Sequence, residues 1–211
     1  MFWKDQGGIN VFDTRGWGTS GTGGTYDAFL ASRPGKLRTT LERKTRKVET
    51  FIYQTFTDDI WNEYEDIYRH SWKPDEASFG FLRRFAREES AAGRLRLGIA
   101  RHEGNPVAAQ LWTVERGEAY IHKLAYREDA KPLSPGTTLT AALFRHVIDI
   151  DQVAGVDFGT GNDPYKRDWL SGLRHRYSLD AFDPRSPRAW PHIVRAKLQR
   201  RESLVSPAGA G

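Results

Sequence analysis

Residues 95–126 constrain the fold more than any other stretch. RLRLGIAR spaces Leu95, Leu97 and Ile99 by two, the mark of a strand with one face turned to a core. HEGN turns the chain, PVAAQLWTVE reads as a second strand, RGE turns it again, and EAYIHKLAYRE reads as a third. Two tight turns among three strands predict an antiparallel meander. Such a sheet needs helices to cover it.

The flanks supply them. Ile60, Trp61, Tyr64, Ile67, Tyr68 and Trp72 recur at helical spacing behind a Thr57 or Asp58 cap. Ser78 to Ala92 predicts a second helix, with Phe81, Leu82 and Phe85 inward and Gly93 as its stop. TFIYQTF (50–56) reads as a strand before this pair. Residues 26–48 predict a short helix, a break at Pro34-Gly35 and a longer basic helix. After the meander come a helix at LSPGTTLTAALFRHVID, a short buried strand at VAGVDF and a helix over 164–172. A strand near RYSLDAF and a tail helix over about 188–201 complete the order, and INVFD is a candidate strand near the start. Residues 1–24 read as a flexible glycine-rich lead, 25–201 as a single domain and 202–211 as a disordered tail.

Composition excludes several classes of function. With no cysteine there is no disulfide, zinc ribbon or thiol nucleophile. The histidines at 70, 102, 122, 146, 175 and 192 show no HExxH or His-x-His spacing, so no metal is expected. No P-loop or GxSxG elbow is present. No run of 18 apolar residues and no secretory signal occur, which predicts a cytoplasmic protein without a membrane span. The formal charge of +5 is uneven: residues 33–47 carry +6, residues 166–201 carry +7, and the remainder carries −8. Two basic segments suit a phosphate-rich partner, a nucleotide or RNA, or are solvated helix faces.

Three stretches offer chemistry. In SPGTTL, Ser134 reads as an N-cap and Pro135 as the first helical residue. The same turn can bind phosphate: helix N–H groups point outward, Gly136 allows close approach, and Thr137 and Thr138 add hydroxyls. On the third strand, alternation places Tyr120, His122, Leu124 and Tyr126 on one face and Lys123 on the other. His122 titrates near neutrality and suits a general base, or is a structural histidine; Lys123 can reach a phosphate. In DFGTGNDPYKRDW, Asp157 ends a strand, Gly159 and Gly161 form a hinge, and Asp163 caps a helix. Lys166 on that helix's first turn opposes the helix dipole, which favours a functional over a surface role.

The stretches YDAFLASRPGKLRTTLERKTRK, LRLGIARHEGNPVAAQLWTV, YIHKLAYREDAKPLSPGTTL and DFGTGNDPYKRDWL together resemble the Fem-like, CelD-type branch of the GNAT acyltransferases. The resemblance spans roughly residues 26–185 and fits the C-terminal half of the two-half Fem-like proteins. It implies an α/β GNAT fold, a mixed, mostly antiparallel sheet flanked by helices. It also implies transfer of an acyl group, acetyl in the first instance, from acetyl-CoA or another acyl-CoA to an amine or hydroxyl. Ser134, Gly136, Thr137 and Thr138 would then bind the CoA pyrophosphate, with Lys123 as a further phosphate ligand. The loop keeps one glycine and lacks the usual Gln or Arg opener. His122, or Asp157 through water, would serve as base, Tyr165 would protonate the leaving thiolate, and Lys166 would hold the oxyanion or grip a phosphate. The acceptor would be a small molecule or a cell-envelope precursor. The alternatives are an aminoacyl transferase that takes its donor from charged tRNA, and a catalytically silent binding module. Under that resemblance a second subunit could stand in for the N-terminal half, so an oligomer is a further expectation left open.

Overall fold

A computed structural model describes residues 12–13, 24–74, 76–159, 164–170, 174–175, 183 and 185–195. The lead and tail expected at 1–24 and 202–211 lie outside these residues, apart from 12–13 and 24, as do Gly161, Asp163 and the strand expected near 176–182.

The meander is present. It comprises β3 (Leu95–His102), β4 (Asn105–Glu115) and β5 (Glu118–Tyr126). Its loops are two residues long, with Glu103, Gly104, Arg116 and Gly117 all at positive φ. That geometry matches the twist of the paired strands. β2 (Glu49–Tyr53) joins antiparallel beside β3, and β6 (Gly155–Asp157) joins parallel beside β5. The sheet order is β2-β3-β4-β5-β6. A separate ladder pairs β1 (Phe12–Asp13) with β7 (Arg174–His175).

Helices cover both faces of the sheet. On one face lie α1 (Tyr26–Ala31), α2 (Gly35–Lys44), α5 (Pro135–Asp149) and α6 (Pro164–Trp169). Their core contains Phe29, Leu41, Leu139, Phe144 and Trp169, against Trp112, Ala119 and Val156 of the sheet. Phe144 is its hub, stacked on Phe29 at 4.9 Å and on Trp169 at 5.0 Å. On the other face lie α3 (Asp58–Arg69) and α4 (Phe79–Ala91). Thr57 caps α3 by accepting from the Ile60 N–H at 3.3 Å, and Asp58 and Asp59 sit at the positive end of its dipole. Trp61, Tyr64 and Ile67 are fully buried, as their spacing predicts. Residues 190–195 are also helical, within the expected tail helix.

One packing expectation fails. Leu82 and Ala86 are the buried residues of α4, while Phe81 is 54% exposed and Phe85 half-buried. Consecutive helical residues point about 100° apart, so Leu82 at the core turns Phe81 towards the helix flank.

Candidate active site

The central feature is a break in the alternation of β5. Leu111 pairs with Lys123 and Trp112 with Ile121, so His122 is an extra residue with no partner on β4. A bulge of this kind puts two successive side chains on one face. His122 meets Phe85 of α4 edge-on at 5.0 Å, and Lys123 is ion-paired with Glu76, between α3 and α4. Ile121 and Tyr126 pack towards the α5 face. The expected separation of His122 from Lys123 is therefore overturned, as is the shared face of His122 and Tyr126. Simple alternation holds only where the ladder is regular.

His122 sits on the rim of the strand with Nε2 2.8 Å from Thr113 Oγ1. The side chain is exposed at its outer edge, but packing against Phe85 and Thr113 desolvates it in part and lowers its pKa, and the Glu89 carboxylate opposes this shift. The imidazole is neutral at physiological pH. In the tautomer that donates from Nε2 to Thr113, Nδ1 keeps its lone pair, and it makes no hydrogen bond among the described residues. Lys123 is less available than expected. Its ammonium is held by Glu76, whose carboxyl lies below the usual range mainly because of that hydrogen bond.

Strand β6 pairs with β5 only from Glu118 to Tyr120, opposite Gly155 to Asp157. β6 ends at Asp157, so the ladder stops opposite Tyr120, two residues before His122, and Gly159 still lies close to the Ile121 carbonyl. Asp157 is buried, and its Oδ1 accepts from the Gly159 N–H at 2.6 Å across a turn in which Gly159 has φ +64. On α6, Tyr165 is 40% exposed whereas Lys166 is 5% exposed. Lys166 Nζ donates to the Phe158 carbonyl at 3.2 Å, which ties α6 to the end of β6. Trp169 fills the core, and Arg33 Nη1 donates to its carbonyl at 3.1 Å. The first turn thus splits its residues: the tyrosine reaches solvent and the lysine does not.

The start of α5 also departs from expectation. Ser134 is the N-cap but adopts a left-handed backbone, φ 53 and ψ 45, and its side chain makes no cap hydrogen bond. In that conformation the hydroxyl does not cover the N–H groups behind it, so capping by Ser134 is corrected to an uncapped turn. Gly136 lies against Tyr126: a Cβ there would come within 3.1 Å of Cδ1. Thr138 is buried, and its Oγ1 has no hydrogen-bond partner. The turn is pinned from below by residues that periodicity does not flag. Gln110, 1% exposed on β4, donates to the Gly136 carbonyl at 3.1 Å and to Thr140 Oγ1 at 2.8 Å, and accepts from Trp112 Nε1 at 2.9 Å. The sequence signal was a lone amide inside an apolar strand, since buried polar groups are retained only with partners.

The basic run ends nearby. Lys44 Nζ donates to the Pro132 carbonyl at 2.7 Å, just before α5. Arg38, Arg43, Arg46 and Lys47 are exposed and form no ion pair among the described residues. Within those residues no three His, Asp or Glu side chains converge as metal ligands, and no helix is long and apolar enough to cross a membrane.

An antiparallel meander with helices on both faces and a short parallel strand added beside β5 is the architecture of a GNAT-type domain. The family model for the acetyltransferase (GNAT) domain matches residues 35–167, and the chain belongs to that family. Among solved structures it resembles FemX, with a TM-score of 0.60 at 10% identity, covering 81% of this chain and 62% of that one. It also resembles L-PGS from Bacillus licheniformis, with a TM-score of 0.50 at 16% identity, covering 95% and 67%. A conserved protein of unknown function from Bacteroides thetaiotaomicron aligns with a TM-score of 0.52 at 13% identity, covering 75% and 53%. The chain thus spans less than two thirds of the length of FemX. A search of curated proteins finds no match. At these identities the likeness to solved structures is one of fold.

Proposed function

We propose that the chain is an acyltransferase that moves an acyl group, acetyl in the simplest case, from an acyl-CoA to an amine or hydroxyl by direct attack. The observation that carries this reading is the bulge at His122, where a neutral imidazole stands just beyond the last β5–β6 pair, at the open end of that ladder. The thioester enters that opening. Its pyrophosphate rests on the uncapped turn at Ser134, Gly136 and Thr137, whose N–H groups and dipole favour an anion. The acceptor's N–H or O–H gives its proton to His122 Nδ1 as the nucleophile bonds to the carbonyl carbon. The carbonyl electron pair moves onto oxygen, then returns as the C–S bond breaks. The leaving thiolate takes a proton from Tyr165. Lys166 keeps the end of β6 and the start of α6 in register, and its buried charge favours the oxyanion. Asp157, bound to the Gly159 N–H, shapes the turn.

The test is direct. Acetyl-CoA at 100 times its dissociation constant should stabilise the protein by about 2.7 kcal/mol, and added amines should release free thiol. The absence of both a thermal shift and thiol release with acetyl-CoA would sink the reading.

A second reading takes the acyl group from aminoacyl-tRNA in a cytoplasmic setting. The exposed basic residues of α2 and the turn after it, unlike the paired arginines of α3 and α4, favour it. RNA binding that falls steeply with salt, with a slope flattened by replacing Arg38, Arg43, Arg46 and Lys47 with Gln, would support this donor. No RNA binding at low salt would remove it.

A further inference from the structure

The acceptor side of the site has a chemistry of its own. Phe81 and Phe85 stack with their planes 13° apart and centroids at 6.3 Å, and Phe85 in turn meets the His122 ring edge-on at 5.0 Å. The three rings form a continuous shelf from the solvent edge of α4 to the imidazole on the bulge. Isolated exposed aromatics are ordinary, but Phe81 is 54% exposed at the outer end of a stack that terminates on the candidate base. The charged groups around the shelf have opposite-charge neighbours on the protein. Arg84 faces Glu88 at 3.8 Å, Glu89 holds Arg94 at 2.7 Å, and Lys123 is paired with Glu76. Among the described residues no unbalanced carboxylate faces the shelf to recruit a polyamine, Arg84 lies over the Phe81 ring at 5.9 Å, and the rings favour an apolar body.

We infer that the α4 shelf is the acceptor subsite, and that it selects an uncharged apolar or aromatic body carrying the nucleophile close to one end. This rests on the acyltransferase reading above. The body lies on Phe81 and Phe85, and its terminal amine or hydroxyl reaches His122 Nδ1, while Nε2 stays with Thr113. Phe81 sets specificity. It does not touch the reacting atoms.

The experiment compares 2-phenylethylamine with ethanolamine as acceptors, using acetyl-CoA as donor and thiol release as readout. The native protein should show kcat/KM for 2-phenylethylamine at least about tenfold above ethanolamine, the scale on which an apolar pocket discriminates. Phe81→Ala should cut that ratio about tenfold, and Phe81→Leu should retain most of it. Circular dichroism checks that both variants fold. Equal use of the two amines, a preference for ethanolamine, or an unchanged ratio in Phe81→Ala overturns the inference. A second arm needs no donor: saturation-transfer NMR should show 2-phenylethylamine on the native protein and a weaker signal on Phe81→Ala. No NMR signal on the native protein overturns the shelf by itself. An NMR signal without any response to acetyl-CoA leaves the shelf standing and removes the acyl-CoA donor instead.

Discussion

Thr113 Oγ1 lies 2.8 Å from His122 Nε2, across the strand pair from the bulge that projects the ring. The hydroxyl fixes which nitrogen faces the opening. Thr113→Val keeps the shape and removes that anchor. A net hydrogen bond is worth about 0.5–1.5 kcal/mol, so turnover should fall roughly two- to tenfold. Thr113→Ser should restore most of it. Steady-state kinetics with acetyl-CoA checks this, and equal turnover in Thr113→Val would show that the hydroxyl does not position the base.

His122 also sets a pH dependence. Its folded pKa is lowered below the ordinary 6.5, chiefly by desolvation. The acid limb of kcat/KM should therefore inflect below 6.5. His122→Gln should lower turnover by roughly 10²–10⁴ and remove that limb. The sign for stability follows from the same shift. The unfolded chain takes up the proton first, so stability is full above 6.5 and declines as pH falls towards the folded pKa. His146, lowered chiefly by desolvation, acts in the same direction. Urea unfolding of the native protein and His122→Gln at pH 7.5 and 5.5 reads this contribution.

Gly136 carries a separable prediction. Val there collides with the Tyr126 ring, and overpacking of this kind costs about 1–3 kcal/mol. Adding Tyr126→Ala should relieve the collision. Acyl-CoA affinity that stays low in the double variant, measured by calorimetry, reports on the helix turn as a phosphate site. Native affinity in a folded Gly136→Val variant would take phosphate binding away from this turn.

Lys166→Met replaces a buried ammonium with a side chain of similar length and leaves the Phe158 carbonyl without that donor. An orphaned buried acceptor costs about 1–3 kcal/mol, read as a lower urea midpoint. If the charge also favours the oxyanion, turnover should fall by about 10²–10³, with the KM for acyl-CoA nearly unchanged. A lower midpoint with native turnover would confine Lys166 to holding α6 in place. Tyr165→Phe, at a residue 40% exposed, should slow thiol release.

The meander, the helices around it and the burial of Trp61, Tyr64 and Ile67 were legible in the sequence, because a repeat of two or of 3.6 is a local property. A backbone turn at Gly159 and a close approach at Gly136 were legible too, since glycine signals where the backbone turns or is approached. What the residues do there was decided in three dimensions. One unpaired residue in the β4–β5 ladder placed His122 and Lys123 on the same face, and Glu76 then neutralised the lysine. A left-handed Ser134 uncapped α5, and Gln110, 26 residues away in sequence, pinned that helix from beneath. Lys166 turned inward to a carbonyl while Tyr165 stayed at the surface. Phe81 became exposed because Leu82 took the core position beside it. Bulge position, ion-pair partner and side-chain direction depend on residues distant in the chain, and no local period records them.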